Sequence, residues 1–276
     1  MKKIAFLFLI LDNPNFPKLW DKYFRGHKDK YNIYIHPKYP EKITWHNKNI
    51  IENLKPTGWG FIVEAYIELM REAIKDPDNY KFITISESCV PIQSFDKFYK
   101  AVTNDSRSWI KSMKISHYNY KERLKSESKN FIKNYARFCL NRDHVNLLLS
   151  KEKELKFFYK MHVGDEFFLS VLNPLKNTKD FAVIYDDWDY VKKKGANIKN
   201  KIKKLYEKEE NSGINTSKNR LNLRKEYNDI MKNPKTIIKV EEDLEKIKKC
   251  SSFFYRKFLK DSNIEKYWKD IINAHN

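Results

Sequence analysis

A chain of 276 residues, 41% of them hydrophobic and 15% aromatic, holds enough apolar mass for one large packed domain, which excludes an intrinsically disordered protein. The 55 Lys and Arg against 36 Asp and Glu give a net charge of +19; this admits an anionic partner but equally fits a chain rich in Lys, Asn and Ile throughout. Three scattered cysteines, Cys89, Cys139 and Cys250, form no CxxC pair and no Cys/His zinc spacing, so a disulfide framework and a zinc centre are excluded and a reducing compartment is expected.

The start, Met1-Lys2-Lys3 followed by the apolar run from Ile4 to Leu11, imitates a signal peptide. No small-residue cleavage site follows, and Asp12-Asn13-Pro14-Asn15 reads as a turn, so Lys3 to Leu11 is predicted as a buried first strand. No apolar run is long enough to span a bilayer. Phe16 to Gly26 reads as a helix, with Leu19, Trp20, Tyr23 and Phe24 at helical spacing. Tyr31 to His36 is a second strand, stopped by Pro37. Residues 59–75 form the clearest amphipathic helix, its apolar face made by Phe61, Ile62, Ala65, Tyr66, Leu69, Met70 and Ala73. The turn Asp76-Pro77-Asp78-Asn79 closes it, and the strand Phe82 to Ile85 follows. This rhythm predicts an α/β fold with a mostly parallel central sheet flanked by helices.

Phe95 to Val102 reads as a helix and Ser108 to Met113 as a strand. A helix starts near Arg142, and Gly164 to Leu172 begins another with Asp165-Glu166 in its first turn, where carboxylates suit the helix dipole. Phe181 to Tyr185 is a short strand leading into Asp186-Asp187-Trp188-Asp189-Tyr190. From about 192 to 232 charge dominates and apolar residues thin out, which marks a charged helical insertion within a single domain spanning 1–276. The helix Glu241 to Lys249 and the strand Ser252 to Tyr255 complete the chain's core, with Arg256-Lys257-Phe258 directly after.

The Phe82–Ile85 strand empties into Ser86-Glu87-Ser88-Cys89, and such strand ends are where open α/β sheets bind ligands. A sugar transferase often places an Asp-x-Asp metal clamp there. One carboxylate between two hydroxyls is a poor cage for a divalent ion, so if the chain is a sugar transferase it is expected to handle phosphate charge without a metal. Asp76-Pro77-Asp78 and Asp187-Trp188-Asp189 are formally Asp-x-Asp but read as turn chemistry.

Eight pieces, in order, carry a resemblance: Lys3 to Leu9 with Trp20; Tyr34-Ile35-His36; Trp59-Gly60; Phe82 to Ile92; Phe138 to Arg142; Asp165-Glu166; Trp188-x-Tyr190; and Phe254 to Phe258. Together they resemble the Core-2/I-branching N-acetylglucosaminyltransferase family, glycosyltransferase family 14, nearest to its plant-type relatives. The resemblance implies a GT-A-like, Rossmann-type nucleotide-sugar-binding fold, a UDP-sugar donor carrying GlcNAc or xylose, inversion at the anomeric carbon, and no metal or other cofactor. It implies Glu166 as the general base, with Asp165 as a cap or support. Lys257 is implied at the leaving diphosphate, with Arg256 and, through a one-residue gap, Lys235. Ser86, Glu87, Ser88 and His36 fall to the donor, Trp188 and Tyr190 to the acceptor, and Arg123, Lys133 and Arg142 to polar contacts with either. Trp59-Gly60 marks a close backbone approach. Each has a plain alternative: a solvated strand-end lysine for Lys257, a helix-start carboxylate for Glu166, core packing for Trp188.

The expected partners are a UDP-sugar and a glycan or glycolipid acceptor. The basic insertion also suits peripheral contact with an anionic membrane. Nucleic acid is not expected, since no recognition motif and no stacking platform accompany the lysines. A nucleic-acid-binding protein and a catalytically inactive glycan-binding descendant stand as the alternatives. The transmembrane anchor and disulfide set of the family's animal members are missing from the sequence, so a cytoplasmic location is expected.

Overall fold

β1 (Lys3–Ile10) is buried along its whole length except at its first residue. Both faces of such a strand are apolar, as the centre of a parallel sheet requires. A computed structural model, describing residues 1–113, 131–212, 214–231 and 233–275, gives it two parallel neighbours. These are β2 (Tyr31–Pro37), reached through α1 (Pro17–Phe24), and β3 (Asn79–Ser86), reached through α2 (Val63–Ala73). Beyond β4 (Val90–Pro91) and α3 (Phe95–Thr103) lie four short strands, β5 (Ser108–Trp109), β6 (Ser112–Met113), β7 (Lys133–Asn134) and β8 (Cys139–Asn141). Helices α4 (Arg142–Ser150) and α5 (Glu152–Tyr159) follow, then β9 (Thr178–Lys179) and β10 (Ile184–Asp186). The chain ends with α6 (Trp188–Ser212), α7 (Ser217–Ile230), α8 (Leu244–Lys248), β11 (Phe254–Arg256) and α9 (Ile264–Ala274).

The main sheet runs β2-β1-β3-β8-β5-β9, with β8 antiparallel to both its neighbours. A smaller sheet, β10-β11-β4, and the β6-β7 pair complete the strands. The period of two along β1 divides its side chains between two cores. Ala5, Leu7 and Leu9 pack with Phe82 and Leu140 against α2. Ile4, Phe6, Phe8 and Ile10 pack with Trp20, Phe24 and Phe98 from α1 and α3, and with Phe254 of β11. Trp20 stacks on Phe254 at 5.8 Å, which ties the first helix to the last strand. A third core, around Leu19, Ile92, Tyr255 and Phe258, seats α9.

The predicted α/β architecture is the one found; several boundaries move. The helix expected over 59–75 starts only at Val63, because Gly58 and Phe61 close a bridged turn and Gly60 takes φ +78°. The single helix expected from Gly164 is instead two 3₁₀ turns, Gly164–Glu166 and Phe168–Leu172. Val163 enters at φ +57°, and a Cβ on Gly164 would lie 2.3 Å from the Phe158 carbonyl oxygen, so this segment is pinned by packing rather than by helix propensity. Ser108–Met113 splits into β5 and β6. The charged segment is a pair of helices whose first member begins at Trp188, upstream of the expected boundary; Gly195 lets Tyr227 of α7 and Met231, which caps it, approach α6. Among the described residues no helix is long and apolar enough to cross a membrane.

Candidate functional site

The carboxyl ends of β1 and β3 open onto a cleft of about 490 Å³. Leu9, Ile10 and Leu11 line it from β1, and Ser86 and Glu87 from β3. The smaller sheet adds Asp186 at the end of β10 and Arg256 and Lys257 at the end of β11. Three irregular segments complete the walls: Thr57 to Gly60, Tyr135 to Arg137, and Val163 with Asp165 and Glu166. Trp188, at the start of α6, is also there.

Gly60 positions two of these walls against each other. Its carbonyl accepts from the Val163 amide at 2.7 Å, and a Cβ there would lie 2.8 Å from the His162 ring. The backbone therefore passes close to the 161–166 turn, as the Trp59-Gly60 pair predicts. Trp59 stands exposed beside His162, with ring centroids 5.0 Å apart.

The cleft has a cationic quarter. Arg256 pairs with Asp186, its register partner, at 3.0 Å, and its Nε is buried with no partner among the described residues. Lys257 donates from Nζ to Asn233 at 3.1 Å. Burial, then the charge of Arg256, lowers the Lys257 pKa, which Glu87 and Asp186 partly offset. Arg137 donates from Nη1 to the Tyr66 hydroxyl at 2.7 Å and to the Ala136 carbonyl at 2.9 Å, while its Nε is buried and unpartnered among the described residues. Burial opposes its charge, but Tyr66, Cys89, Asp186 and Asp165 outweigh that and raise its pKa.

The acidic quarter is the Asp165-Glu166 pair. Glu166 meets Lys133 of β7 at 2.8 Å. Asp165 is nine-tenths buried, and its Oδ1 has no hydrogen-bond partner among the described residues. Burial pushes its pKa up to about 6; Arg137 pulls it down, and neighbouring Glu166 pushes it further up.

The cleft thus gathers Glu166, Ser86, Glu87, Trp188, Arg256 and Lys257 from the residues singled out in the sequence. Others go elsewhere. Lys235 is held by both oxygens of Asp243, at 2.7 and 2.8 Å, with its Nζ 4.8 Å from the centre of the Tyr190 ring, and neither Lys235 nor Tyr190 lines the cleft. His36 is fully buried; its Nε2 accepts from the Lys55 amide at 2.9 Å, and burial lowers its pKa. Ser88 is buried beneath the turn, its hydroxyl 3.5 Å from that of Ser86. Arg142 donates to the carbonyls of Ile74, Asp76 and Asn79, where β3 begins. Seven residues of strand separate that point from Ser86, roughly 23 Å at 3.3 Å per residue, so Arg142 is a structural latch far from the cleft. Arg123 lies outside the described residues. The two formal Asp-x-Asp sets are turn chemistry: Asp76 accepts from the Asp78 amide, and Asp187 accepts from the Tyr190 amide at the start of α6. Among the described residues no group of three or more His, Cys, Asp or Glu is placed to hold a metal ion.

Arg137 and Asp186 are the functional candidates that sequence reasoning missed. Asp186 was visible only as one of three aspartates beside Trp188, and Arg137 as a lone arginine in a segment without periodicity.

The family model described as Core-2/I-Branching enzyme matches residues 4–182. The chain belongs to the Core-2/I-branching enzyme family. The match takes in β1 to β9 and therefore Ser86, Glu87, Arg137, Asp165 and Glu166; Asp186, Trp188, Arg256 and Lys257 lie beyond it. A curated relative, Glycosyltransferase BC10 of Oryza sativa subsp. japonica, is 28% identical over 172 residues. The alignment covers 57% of this chain and 43% of the rice protein, so the chain spans less than half the length of that relative. The mostly parallel sheet with helices on both faces fits the GT-A-like fold expected for such a family member.

Proposed function

We propose that the chain is an inverting, metal-independent glycosyltransferase that moves a sugar, GlcNAc or xylose, from a UDP-sugar to a hydroxyl of a glycan or glycolipid. The observation that carries this reading is that one cleft, at the carboxyl ends of the sheet, holds both Glu166 and the pair Arg256 and Lys257. In a direct displacement the acceptor oxygen bonds to the anomeric carbon as the bond to the diphosphate breaks. The acceptor proton passes to Glu166, and the negative charge developing on UDP falls to Lys257 and Arg256. Lys133, 2.8 Å from Glu166, keeps the carboxylate in place until the acceptor hydroxyl arrives. Trp188 offers an aromatic face to an acceptor ring, and Ser86 and Glu87 offer hydrogen bonds to the donor. The metal-free reading rests on the fixed positive charge of Arg256 and Lys257 in the same cleft, and on Ser86-Glu87-Ser88 supplying a single carboxylate where other transferases place a clamp. The exposed lysines of α6 suit contact with an anionic membrane that carries the acceptor.

The test is donor hydrolysis and transfer measured with excess EDTA. Activity is expected to persist; strict dependence on a divalent ion would remove the metal-free mechanism. Glu166→Gln is expected to lower kcat by on the order of 100-fold with UDP binding kept. An unchanged kcat would remove Glu166 as the base.

A further inference from the structure

Among the buried cleft atoms with no hydrogen-bond partner among the described residues, which include the Nε of the ion-paired Arg256, two belong to the oppositely charged side chains of Asp165 and Arg137. Asp165 is nine-tenths buried with Oδ1 unpartnered, and Arg137 has a buried, unpartnered Nε while Tyr66 holds its Nη1. Both side chains belong to cleft-lining residues. An unpaired buried acceptor and an unpaired buried donor in one cleft are unfavourable unless water or a ligand completes them. The missing group must donate to a carboxylate and accept from a guanidinium. A sugar hydroxyl, or two neighbouring ones, does both.

Location selects which sugar. The charges that act on Asp165 are those of Arg137, Glu166 and Arg256. In the proposed reaction Glu166 faces the acceptor and Arg256 faces the diphosphate, and the transferred sugar is what lies between them. We propose that Asp165 and Arg137 form the subsite that grips the hydroxyl edge of the transferred sugar, and that this sugar is uncharged. The charges of the pair cancel, whereas a sugar acid would set a third carboxylate beside Asp165 and Glu166, with like-charge repulsion. This rests on the glycosyltransferase reading and deepens it.

The experiment uses the full chain and whichever of UDP-GlcNAc and UDP-xylose it hydrolyses, with the 3-deoxy and 4-deoxy forms of that donor. Wild type is expected to lose about 10- to 100-fold in kcat/KM on at least one deoxy donor, as for a lost bond to a charged group. Asp165→Asn and Arg137→Lys are expected to turn over the intact donor more slowly and to discriminate less than 3-fold between the donors. UDP binding by Asp165→Asn, followed by calorimetry, is expected to be no weaker than wild type, since a negative charge near the diphosphate has gone; this also reports a folded site. A wild type indifferent to both deoxy donors, or an Asp165→Asn variant with wild-type discrimination, overturns the subsite while leaving the transferase intact. A wild type that neither binds UDP nor hydrolyses a UDP-sugar overturns the proposed function and the subsite with it.

Discussion

Asp186 and Arg256 are register partners in the β10–β11 ladder, and their side chains pair across it at 3.0 Å. The pair is largely buried, the Asp186 side chain being 6% exposed. The pairing divides the labour between two adjacent cations. Arg256 is compensated and structural as well as cleft-facing, while Lys257 has the neutral Asn233 as its hydrogen-bond partner among the described residues.

Replacing the two therefore has different expected outcomes. Lys257→Met should weaken UDP binding by about 10- to 100-fold, the range for a charge-assisted hydrogen bond, with little change in Tm. Arg256→Met should also lower stability, by about 3 kcal/mol, because it strands a buried carboxylate. Calorimetry with UDP and thermal melts separate the two; equal melting losses would show that Asp186 does not depend on Arg256. Because the Lys257 pKa is lowered, its charge is lost at lower pH than an ordinary lysine's. UDP affinity should accordingly fall on the alkaline side earlier than 10.5, the usual lysine value, and Lys257→Arg should remove that limb.

Gly60→Ala tests the contact between the Trp59 loop and the Glu166 turn. A Cβ would meet the His162 ring at 2.8 Å and the Val163 amide nitrogen at 3.0 Å, at a backbone φ of +78°. The strain and the clash together should cost about 1–3 kcal/mol. Displacing the 163–166 turn should lower kcat more than it weakens UDP binding, since Arg256 and Lys257, assigned to the diphosphate, lie at the end of the smaller sheet. Steady-state kinetics beside UDP calorimetry checks this. Unchanged kcat would mean that the two loops are independent.

The fold was legible where hydrophobic period and burial agree. The run Ile4 to Ile10 and the spacing of Ala65, Leu69 and Ala73 identify β1 and α2 without any partner being known. Glu166, Lys257 and Trp188 reached the cleft because each stands at or beside the end of a short element. Lys235, Tyr190 and His36 did not, for one physical reason. Each met a nearer partner, Asp243, the Lys235 ammonium and the Lys55 amide, and those pairings span 8, 45 and 19 residues of sequence. Side-chain type and local spacing do not specify such pairings. Arg137 was illegible for the converse reason, since its meaning lies in Tyr66 and Asp165, which arrive from α2 and from a 3₁₀ turn.

Arg142→Ala separates latch from site. Its guanidinium gathers three backbone carbonyls at the end of α2 and the start of β3. Losing these charge-assisted bonds should lower stability by about 2–3 kcal/mol. At a temperature where the variant is folded, kcat and UDP affinity should equal wild type. A selective loss of acceptor KM would restore Arg142 to the acceptor site.

Asp165 predicts a conflict between stability and recognition. Burial raises its carboxyl pKa from 3.8 to about 6, so the folded chain holds this proton more tightly than the unfolded chain does. The favourable contribution is fully present below about 3.8 and is lost as pH rises through about 6. At pH 7 the buried charge then costs about 3 kcal/mol, since a tenfold change in proton affinity is worth roughly 1.4 kcal/mol. Asp165→Asn keeps the shape without the charge, so it should be more stable than wild type near neutrality, by about 1–3 kcal/mol. Below pH 4 wild type is itself protonated there and the gain should vanish. Denaturant unfolding at pH 4 and pH 7.5 reads the difference directly. A gain that is the same at both pH values, or absent at both, would mean that the Asp165 carboxylate is already satisfied in the free protein and is not held in readiness for a ligand.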